Sequence, residues 1–365
     1  MSILVLGAGG FIGSHLVERL LDGGRPVAAV DLSVDKLARV LGRPGLRVAL
    51  NDIREPAFDL DGFVRGADLV IDLIAYANPG LYVRMPLEVF RLNFEENLRI
   101  ARACARHGKR LIQFSSCEVY GMTPAAVVPD KLLDPDDPGL ATFSEDRSPC
   151  LLGPVGRHRW IYASAKQLLE RVLHAMGLAG ELDYTIVRPF NFLGPRIDFL
   201  PSEGDGVPRV FSYFMEALLR GEPMKLVDGG RRRRCYTDIG DAVEAIARIV
   251  DDPGGVCGRQ IFNIGSPANE VRISELAALM REIYAERLGV PESALPRPVT
   301  VSAEEFYGSG YQDSDRRIPD IAKARRLLGW EPRVGLRDTL VRAMGEYLPP
   351  FRTVPAHDAA SSDRR

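Results

Sequence analysis

The most informative segment of this 365-residue chain for its fold class is Ser2-Ile-Leu-Val-Leu-Gly-Ala-Gly-Gly-Phe-Ile-Gly13, SILVLGAGGFIG. Its apolar start, Ser2–Leu6, is typical of a buried strand, and apolar residues at helical spacing follow over Ile12–Leu21. The glycines between them permit a tight turn and a close approach of the backbone to a pyrophosphate, which the N-terminus of the helix then faces. The segment therefore predicts a dinucleotide-binding unit at the start of a parallel sheet.

A carboxylate about twenty residues further on supports the same prediction. Asp31 ends the next strand-like run, VAAVD, where it can bind the hydroxyls of the adenosine ribose. Its charge would repel a 2′-phosphate, so NAD is favoured over NADP as the cofactor. Asp52 has two interpretations, a ligand of the adenine amine or an exposed aspartate. The residues expected to contact NAD are Gly7, Gly10, Phe11, Ile12, Gly13, Asp31, Asp52, Ile53, Leu73, Tyr162 and Lys166.

Strand-like runs alternate with helical patterns over the first half of the chain. The strand-like runs are Ser2–Leu6, Pro26–Val30, Val48–Leu50, Leu69–Leu73, Arg110–Phe114 and Tyr184–Val187. The helical patterns are Ile12–Leu21, Pro86–His107 and Ile161–Gly177, with Val210–Arg220, Ile273–Leu288 and Ile321–Leu328 further on, whereas Pro291–Arg317 is typical of a loop. The alternation predicts an α/β fold, a doubly wound parallel sheet of the Rossmann type covered by helices on both faces.

The composition of the sequence changes after residue 190, where loops rich in Pro, Gly and Asp begin. We assign residues 1–190, with a returning segment at about 235–265, to an NAD-binding Rossmann domain. A smaller C-terminal α/β domain that binds substrate is expected from 191–234 and 266–350. The small, polar tail 351–365 is expected to be disordered.

Composition and charge narrow the classes of partner. With 46% hydrophobic residues, 26% charged residues and a formal net charge of −2, the chain is typical of a soluble protein, and neither nucleic acid nor a membrane is expected as a partner. No run of about 18 apolar residues is free of charges, and the apolar N-terminus lacks the basic region of a signal peptide. The five cysteines are scattered without a CxxC pair, which favours reduced thiols in the cytoplasm. The five histidines are equally dispersed, so no metal site is predicted.

A second motif, Tyr162-Ala-Ser-Ala-Lys166, places a tyrosine and a lysine on one face of a helix. The ammonium group can stabilise a phenolate and so lower the pKa of the tyrosine, which suits a base that acts on a sugar hydroxyl. The alternative is a surface Tyr–Lys pair without function. In combination with the glycine-rich loop, the motif favours catalysis.

The strand that ends at Phe114 runs into the stretch FSSCEVYGM. Ligands of a doubly wound sheet bind at the carboxyl ends of its strands, so these hydroxyl, thiol and carboxylate groups are expected to face a substrate. Ser116 would face the same hydroxyl as Tyr162, and Cys117 and Glu118 would lie one step further toward the substrate. The alternatives are a small buried apolar residue for Cys117 and a carboxylate with a local partner or water for Glu118.

These motifs together resemble the extended short-chain dehydrogenase/reductase family, and within it the UDP-glucuronate decarboxylases. The likeness runs from about residue 1 to 350 and is strongest to the UDP-apiose/UDP-xylose synthases, with the decarboxylase domain of the 4-amino-arabinose lipid pathway as a second relative. The specific segments are CEVYG (117–121), EDRSPC (145–150), RWIYASAKQLLER (159–171), RPFNFLGPRIDF (188–199), SEGDGVPRV (202–210), KLVDGG (225–230), EFYGSGYQDSDRRIPD (305–320) and LGWEP (328–332).

The resemblance implies a catalytic role for each matching residue. Tyr162 would deprotonate the C4 hydroxyl of UDP-glucuronate as hydride leaves for NAD, with Ser116 sharing the proton path. Lys166 would hold the nicotinamide ribose. Glu118 and Arg317 would flank the C5/C6 end of the sugar, where the carboxylate is lost.

The resemblance also implies which residues hold the substrate. Cys117 matches a cysteine of the apiose/xylose synthases, and Tyr82 would approach the substrate carboxylate. UDP would be held by Asn191, Arg209, Lys225, Arg234 and Tyr311. The arginine-rich run that ends at Arg234 has an alternative interpretation as a solvated basic turn for most of its members.

One position departs from the pattern of the apiose/xylose synthases. Ala77 stands where those enzymes carry a second cysteine, and a thiol near the ring carbons could serve the proton transfers of ring opening and contraction. UDP-xylose or UDP-4-keto-pentose is therefore a better expectation for the product than UDP-apiose. The resemblance further implies a homodimer formed through a helix bundle. Two alternatives stay open, a nucleotide-sugar 4-epimerase or 4,6-dehydratase on the same fold, and a non-catalytic NAD(H)-responsive binding protein.

Overall fold

Seven parallel strands form one sheet at the centre of the molecule. The structure, a computed structural model, describes residues 1–128, 133–203, 209–309 and 311–348. Across the sheet the strands lie in the order Gln260–Ile264, Tyr184–Pro189, Arg110–Phe114, Leu69–Asp72, Ile3–Leu6, Val27–Asp31 and Leu46–Leu50. The strand order reverses between Ile3–Leu6 and Leu69–Asp72, and such a switch point leaves a crevice for ligands at the carboxyl ends of the strands. The predicted α/β, doubly wound fold is confirmed.

The central strands are buried because helices cover both faces of the sheet. All four residues of Ile3–Leu6 are buried, as expected of the continuous apolar strands of a parallel sheet. On one face, Phe11–Asp22 packs against Ile239–Asp251, and on the other, Leu60–Arg65 packs against Asn97–Arg106. The strand Gln260–Ile264 thus completes the sheet at one edge, and the helix Ile239–Asp251 helps to cover one of its faces.

The other helices and strands of the described ranges surround this core. The remaining helices are Pro79–Arg84, Pro86–Phe90, Pro124–Val127, Pro138–Ala141, Ile161–Leu178, Val210–Arg220, Ile273–Leu288, Ala303–Tyr307, Ala322–Leu328 and Leu336–Met344. Two-stranded ladders join Phe192–Leu193 to Thr237–Asp238, Lys225–Val227 to Val299–Val301, Arg233–Cys235 to Glu270–Arg272, and Thr142–Phe143 to Ile318–Pro319. The first and last of these ladders join the C-terminal half to segments that follow the central strands Tyr184–Pro189 and Arg110–Phe114, and the other two join segments within the C-terminal half.

The predicted helix Pro86–His107 contains a π-helical segment, Arg91–Glu96, that the periodicity of the sequence does not show. A π-helical turn accommodates an extra residue and occurs often at functional sites. The α-helix resumes at Asn97, whose buried amide donates to the carbonyl of Ile74 at 3.1 Å. Within the π segment, Asn93 donates to the carbonyl of Tyr76 at 3.2 Å, so both segments of this helix bind the loop after a central strand.

Several elements of the C-terminal half were not predicted. Pro291–Arg317 is not all loop, because Val299–Val301 pairs with a strand far away in the chain and Ala303–Tyr307 forms a short helix. The helix Leu336–Met344 was missed as well. The tail 351–365 and part of the motif 202–210 lie outside the described residues.

None of the helices in the described ranges combines the length and the hydropathy that crossing a membrane requires. Within the same ranges, no group of three or more His, Cys, Asp and Glu side chains is placed to hold a metal ion.

Candidate active site

A cavity of about 300 Å³ lies where the carboxyl ends of the central strands meet the C-terminal half. Its wall includes Ile12 and Leu73 from the expected cofactor set. The other predicted residues that line it are Tyr82, Ser116, Cys117, Glu118, Tyr162, Asn191, Arg209, Lys225, Arg234 and Tyr311. Residues predicted from distant parts of the sequence are therefore brought to one cavity.

The loop before the first helix fits a dinucleotide. A Cβ atom on Gly13 would lie 2.2 Å from the carbonyl oxygen of Gly7, and one on Gly9 would lie 1.9 Å from that of Ser33, so the loop is packed as tightly as glycine allows. Gly10 is exposed at the N-terminus of the helix and provides no capping side chain. The first N–H groups of the helix are therefore free to bind a pyrophosphate.

The two predicted adenosine ligands differ in their surroundings. The carboxylate of Asp31 is held by the backbone N–H groups of Gly9 at 2.8 Å and Leu32 at 2.6 Å, which orients it beside the loop. Asp52 instead forms an ion pair with Arg54, with 2.6 Å between Nη2 and Oδ2, and this hydrogen bonding lowers the pKa of Asp52. Asp31 thus supports NAD binding more strongly than Asp52 does. The predicted ligand Ile53 is buried, and its carbonyl accepts a hydrogen bond from Arg99.

Tyr162 lies in the cavity wall with its ring stacked parallel on that of Tyr82, 4.5 Å between centroids. Burial and the nearby charge of Glu118 raise the pKa of Tyr162, and a hydrogen bond with Ser116 opposes the shift. The sequence predicted a pKa lowered by Lys166. That prediction is wrong for the net shift in this structure, which is upward because burial, followed by the charge of Glu118, raises the pKa.

Glu118 belongs to a group of buried and half-buried charges that we call the arginine cluster: Arg159, Arg234 and Arg317 with Glu118 and Asp313. Both oxygens of Glu118 accept from Arg159, at 2.5 and 2.9 Å. Asp313 lies 3.1 Å from Arg159, 2.6 Å from Arg234 and 3.5 Å from Arg317. Burial would raise the pKa of Asp313, but these three guanidinium groups together with that of Arg232 outweigh burial and hold it well below its ordinary value.

Arg159, rather than Arg317, is the arginine that contacts Glu118. Arg317 is buried beside the cavity, where its Nε donates to the carbonyl of Gly121 at 3.0 Å. It also lies near Cys117, whose thiol has a pKa raised by burial in spite of the arginine. The sequence contained a signal for Arg159. This residue lies three positions before Tyr162, and residues at that spacing share one face at the start of a helix.

The arginine-rich run is less solvated than expected. Arg232 pairs with Asp228 at 3.0 Å, and Arg233 pairs with Asp136 at 2.9 Å. With Arg234 held by Asp313, only Arg231 of the run is exposed, so the interpretation of most of the run as a solvated basic turn is wrong. The half-buried position of the run comes from its strand, Arg233–Cys235, which the sequence did not reveal.

A second buried ion pair supports the turn that carries Glu118. Arg188 donates to both oxygens of Glu170, at 3.0 and 2.5 Å, and to the hydroxyl of Tyr120 at 2.7 Å. The Tyr120 hydroxyl donates in turn to Asn263 at 2.8 Å. This network connects the Tyr162 helix, two strands of the sheet and the turn.

Replacing Glu170 by alanine is expected to lower the free energy of unfolding by about 3–5 kcal/mol, because Arg188 would remain buried without its carboxylate. Chemical denaturation followed by circular dichroism measures the change. Arg171→Ala, at an exposed position next to it, is the control and should change the value by less than about 0.5 kcal/mol. Equal midpoints for Glu170→Ala and the unaltered protein would contradict a stabilising role of the ion pair.

Comparison with known proteins bears on both the loop and the cavity. Residues 3–265 match the NAD dependent epimerase/dehydratase family. The UDP-D-apiose/UDP-D-xylose synthase 1 of Arabidopsis thaliana is 44% identical over 350 residues, 93% of this chain and 89% of the relative. The crystal structure of the PbgP3 protein from Burkholderia pseudomallei has 34% identity and a TM-score of 0.81, covering 95% of this chain and 96% of that one. MoeE5 in complex with UDP-glucuronic acid and NAD has 26% identity and a TM-score of 0.71, covering 94% and 98%.

Proposed function

Because the chain belongs to the NAD dependent epimerase/dehydratase family, and within it to the UDP-apiose/UDP-xylose synthases, we propose that it oxidises and decarboxylates UDP-glucuronate with NAD. The product is UDP-xylose, UDP-4-keto-pentose or both. Ala77 lines the cavity, where the sequence pattern of the synthases has a second cysteine, and this argues against UDP-apiose as the main product.

The arginine cluster is the observation that carries this proposal. It sets three guanidinium groups against the two carboxylates Glu118 and Asp313, in a region where Arg159 and Arg317 are at most 2% exposed. An excess positive charge is costly to bury unless an anion compensates it. The carboxylate of a uronic acid supplies one charge at the cavity wall, whereas a neutral hexose supplies none.

The chemistry needs few groups from the protein. Oxidation at C4 makes a sugar whose C6 carboxylate is β to a ketone, and such an acid loses CO₂ because the electrons delocalise into an enolate. Bound NAD supplies the hydride acceptor at C4 and, once reduced, the hydride donor.

Each step has a candidate residue beside the cavity. Tyr162, with Ser116, takes the proton of the C4 hydroxyl. Arg159 and Arg317 offset the charge of the carboxylate and of the developing enolate. Glu118 provides the proton exchange at C5. Lys225 and Arg209 line the same cavity, and their positive charges suit the diphosphate.

Proton NMR of the purified protein with UDP-glucuronate and NAD tests the proposal. The expected result is a UDP-pentose, whose anomeric signals distinguish xylose, 4-keto-pentose and apiose. Unchanged UDP-glucuronate, or UDP-galacturonate alone, would contradict decarboxylation and favour a 4-epimerase. Binding of both ligands without turnover would favour a non-catalytic protein.

We also infer a homodimer and a reducing, cytoplasmic compartment. Leu87 and Leu168, on the contacting helices Pro86–Phe90 and Ile161–Leu178, are 66% and 44% exposed, which supports a dimer interface there. Each of the five cysteines is a free thiol, which supports a reducing compartment.

Replacing Leu168 by glutamate is expected to raise the dimer dissociation constant by at least about 30-fold, since disrupting a central interface residue costs about 2 kcal/mol or more. Light scattering coupled to size exclusion measures the mass over a concentration series. Leu219→Glu alters a leucine of similar exposure, 39%, on the helix Val210–Arg220 and should leave the mass unchanged. A monomeric parent protein, or a dimer unaffected by Leu168→Glu, would contradict this interface.

A further inference from the structure

A ring of hydrogen bonds lies beside the part of the cavity wall that carries Tyr162. It starts at Asp72, the wholly buried last residue of a central strand. Asp72 accepts the backbone N–H of Ile74 at Oδ1 and the side-chain amide of Gln113 at Oδ2, each at 2.9 Å. Both partners are neutral, so these hydrogen bonds do not by themselves balance the buried charge.

The ring closes through Lys166. Its Nζ donates to the Oδ1 of Asn97 at 2.9 Å and to the carbonyl of Phe114 at 3.0 Å. Asn97 donates to the carbonyl of Ile74 at 3.1 Å, and the amide nitrogen of Gln113 lies 3.4 Å from the carbonyl of Phe114. Two short chains of neutral groups therefore join the lysine to the buried carboxylate.

Of the charged and titratable groups around Lys166, one can act as its counter-ion. Glu170, on the same helix, has both oxygens bonded to Arg188. Cys104, on the helix that begins at Asn97, lies near the buried carboxylate and stays neutral because burial raises its pKa to about 12. Among the groups that the structure describes here, Asp72 is thus the carboxylate not already paired with an arginine.

Burial acts on both members of this pair. It raises the pKa of Asp72 to about 6 and lowers that of Lys166 to about 8, and the mutual attraction of the two charges opposes both shifts. Both groups are therefore charged between about pH 6 and pH 8. As the pH rises through 8 the lysine loses its charge, and as the pH falls through 6 the aspartate loses its own.

We propose that Asp72 is a positioning residue for the reaction, whose buried negative charge keeps Lys166 protonated one helical turn from Tyr162. The inference rests on the proposed function, since it takes Tyr162 as the base. A charged lysine one helical turn away favours the phenolate, and a neutral amine does not. Asp72 thereby acts on proton transfer at C4 without touching the substrate.

The titration of Lys166 tests the inference directly. The chain has only six lysines, so biosynthetic labelling with carbon-13 at Cε gives few NMR signals, and Lys166→Arg identifies the one of interest. In the full-length, NAD-saturated protein, Asp72→Asn is expected to lower the titration midpoint of Lys166 by about 1 pH unit. The alkaline limb of the pH profile for NAD reduction should shift to lower pH by the same amount. A shift of 1 pH unit corresponds to about a tenfold change in the ratio of charged to neutral lysine.

Cys104→Ser is the matched control, because it alters a neighbour of Asp72 without changing a charge. It should leave the midpoint of Lys166 where it is. An unchanged midpoint in Asp72→Asn would overturn the inference. If Asp72→Asn does not fold, the same titration of the unaltered protein tests the inference. The Lys166 signal is then expected to shift near pH 6, where Asp72 ionises. A Lys166 titration curve with no shift near pH 6 would also overturn the inference.

The NMR titration needs no turnover, so it separates the two proposals. A protein that shows the Asp72–Lys166 coupling but leaves UDP-glucuronate unchanged would contradict the proposed function alone. A protein that makes UDP-pentose with no such coupling would contradict the role of Asp72 alone.

Discussion

Replacing Tyr162 by phenylalanine is expected to lower the rate of NAD reduction by UDP-glucuronate by about 10³-fold or more, at the upper part of the range for loss of a general base. The ring would still stack on Tyr82 at the same place, so the variant removes the hydroxyl and little else. Single-turnover absorbance of reduced nicotinamide measures the oxidation step, and NAD affinity, measured by fluorescence, should stay within about threefold.

Tyr184→Phe is the control for this change. Tyr184 is also buried, but its hydroxyl contacts His174 at 3.0 Å, and the residue does not belong to the described wall of the cavity. Near-parental oxidation by Tyr162→Phe would remove the tyrosine as the base. Equal losses of oxidation and of NAD affinity would point instead to a disturbed cofactor site.

The parts of this protein that the sequence predicts are those that need only neighbours along the chain. The glycine-rich loop lies between its strand and its helix, and Asp31 ends the following strand. Tyr162 and Lys166 share a helix face because of their spacing alone. Such features are local, and the Rossmann fold follows from their alternation.

The arginine cluster could not be predicted in the same way, because its members meet only through tertiary packing. Arg159 lies 41 residues from Glu118 and 154 residues from Asp313 in the chain. Arg316, which neighbours Arg317 in the chain, instead binds Glu270, at 2.6 Å. With many arginines in the chain, their residue type alone does not identify the one that faces a given carboxylate.

The lysine shows a different limit of sequence analysis. The spacing of Tyr162 and Lys166 says that they share a face, but the direction of the Lys166 side chain depends on Asn97 and Phe114. Asn97 reaches it after a π-helical segment, which shifts the helical phase and has no clear sequence signature. The environment that sets the pKa values was therefore visible only in the structure.

Glu118→Gln is expected to lower CO₂ release by about 10²–10⁴-fold, while NAD reduction falls by no more than about tenfold. The carboxylate lies at the cavity wall, bonded to Arg159, and its charge acts on Tyr162. It can return a proton to C5 after CO₂ has left, so without it the first turnover stalls at the enolate and CO₂ release over many turnovers falls. UDP-glucuronate labelled with carbon-13 in the carboxylate reports CO₂ by NMR, and nicotinamide absorbance reports oxidation in the same sample.

Glutamine keeps the shape of the side chain and one oxygen that can accept from Arg159, so the change removes charge and acid–base capacity rather than packing. Arg159 also keeps Asp313 as a partner at 3.1 Å, which limits the structural cost. Glu145→Gln is the matched control, since Glu145 is another half-buried carboxylate and accepts the backbone N–H of Asn263 at 2.8 Å. Equal losses of oxidation and CO₂ release in Glu118→Gln would assign the residue to substrate binding, and a loss confined to CO₂ release would assign it to decarboxylation.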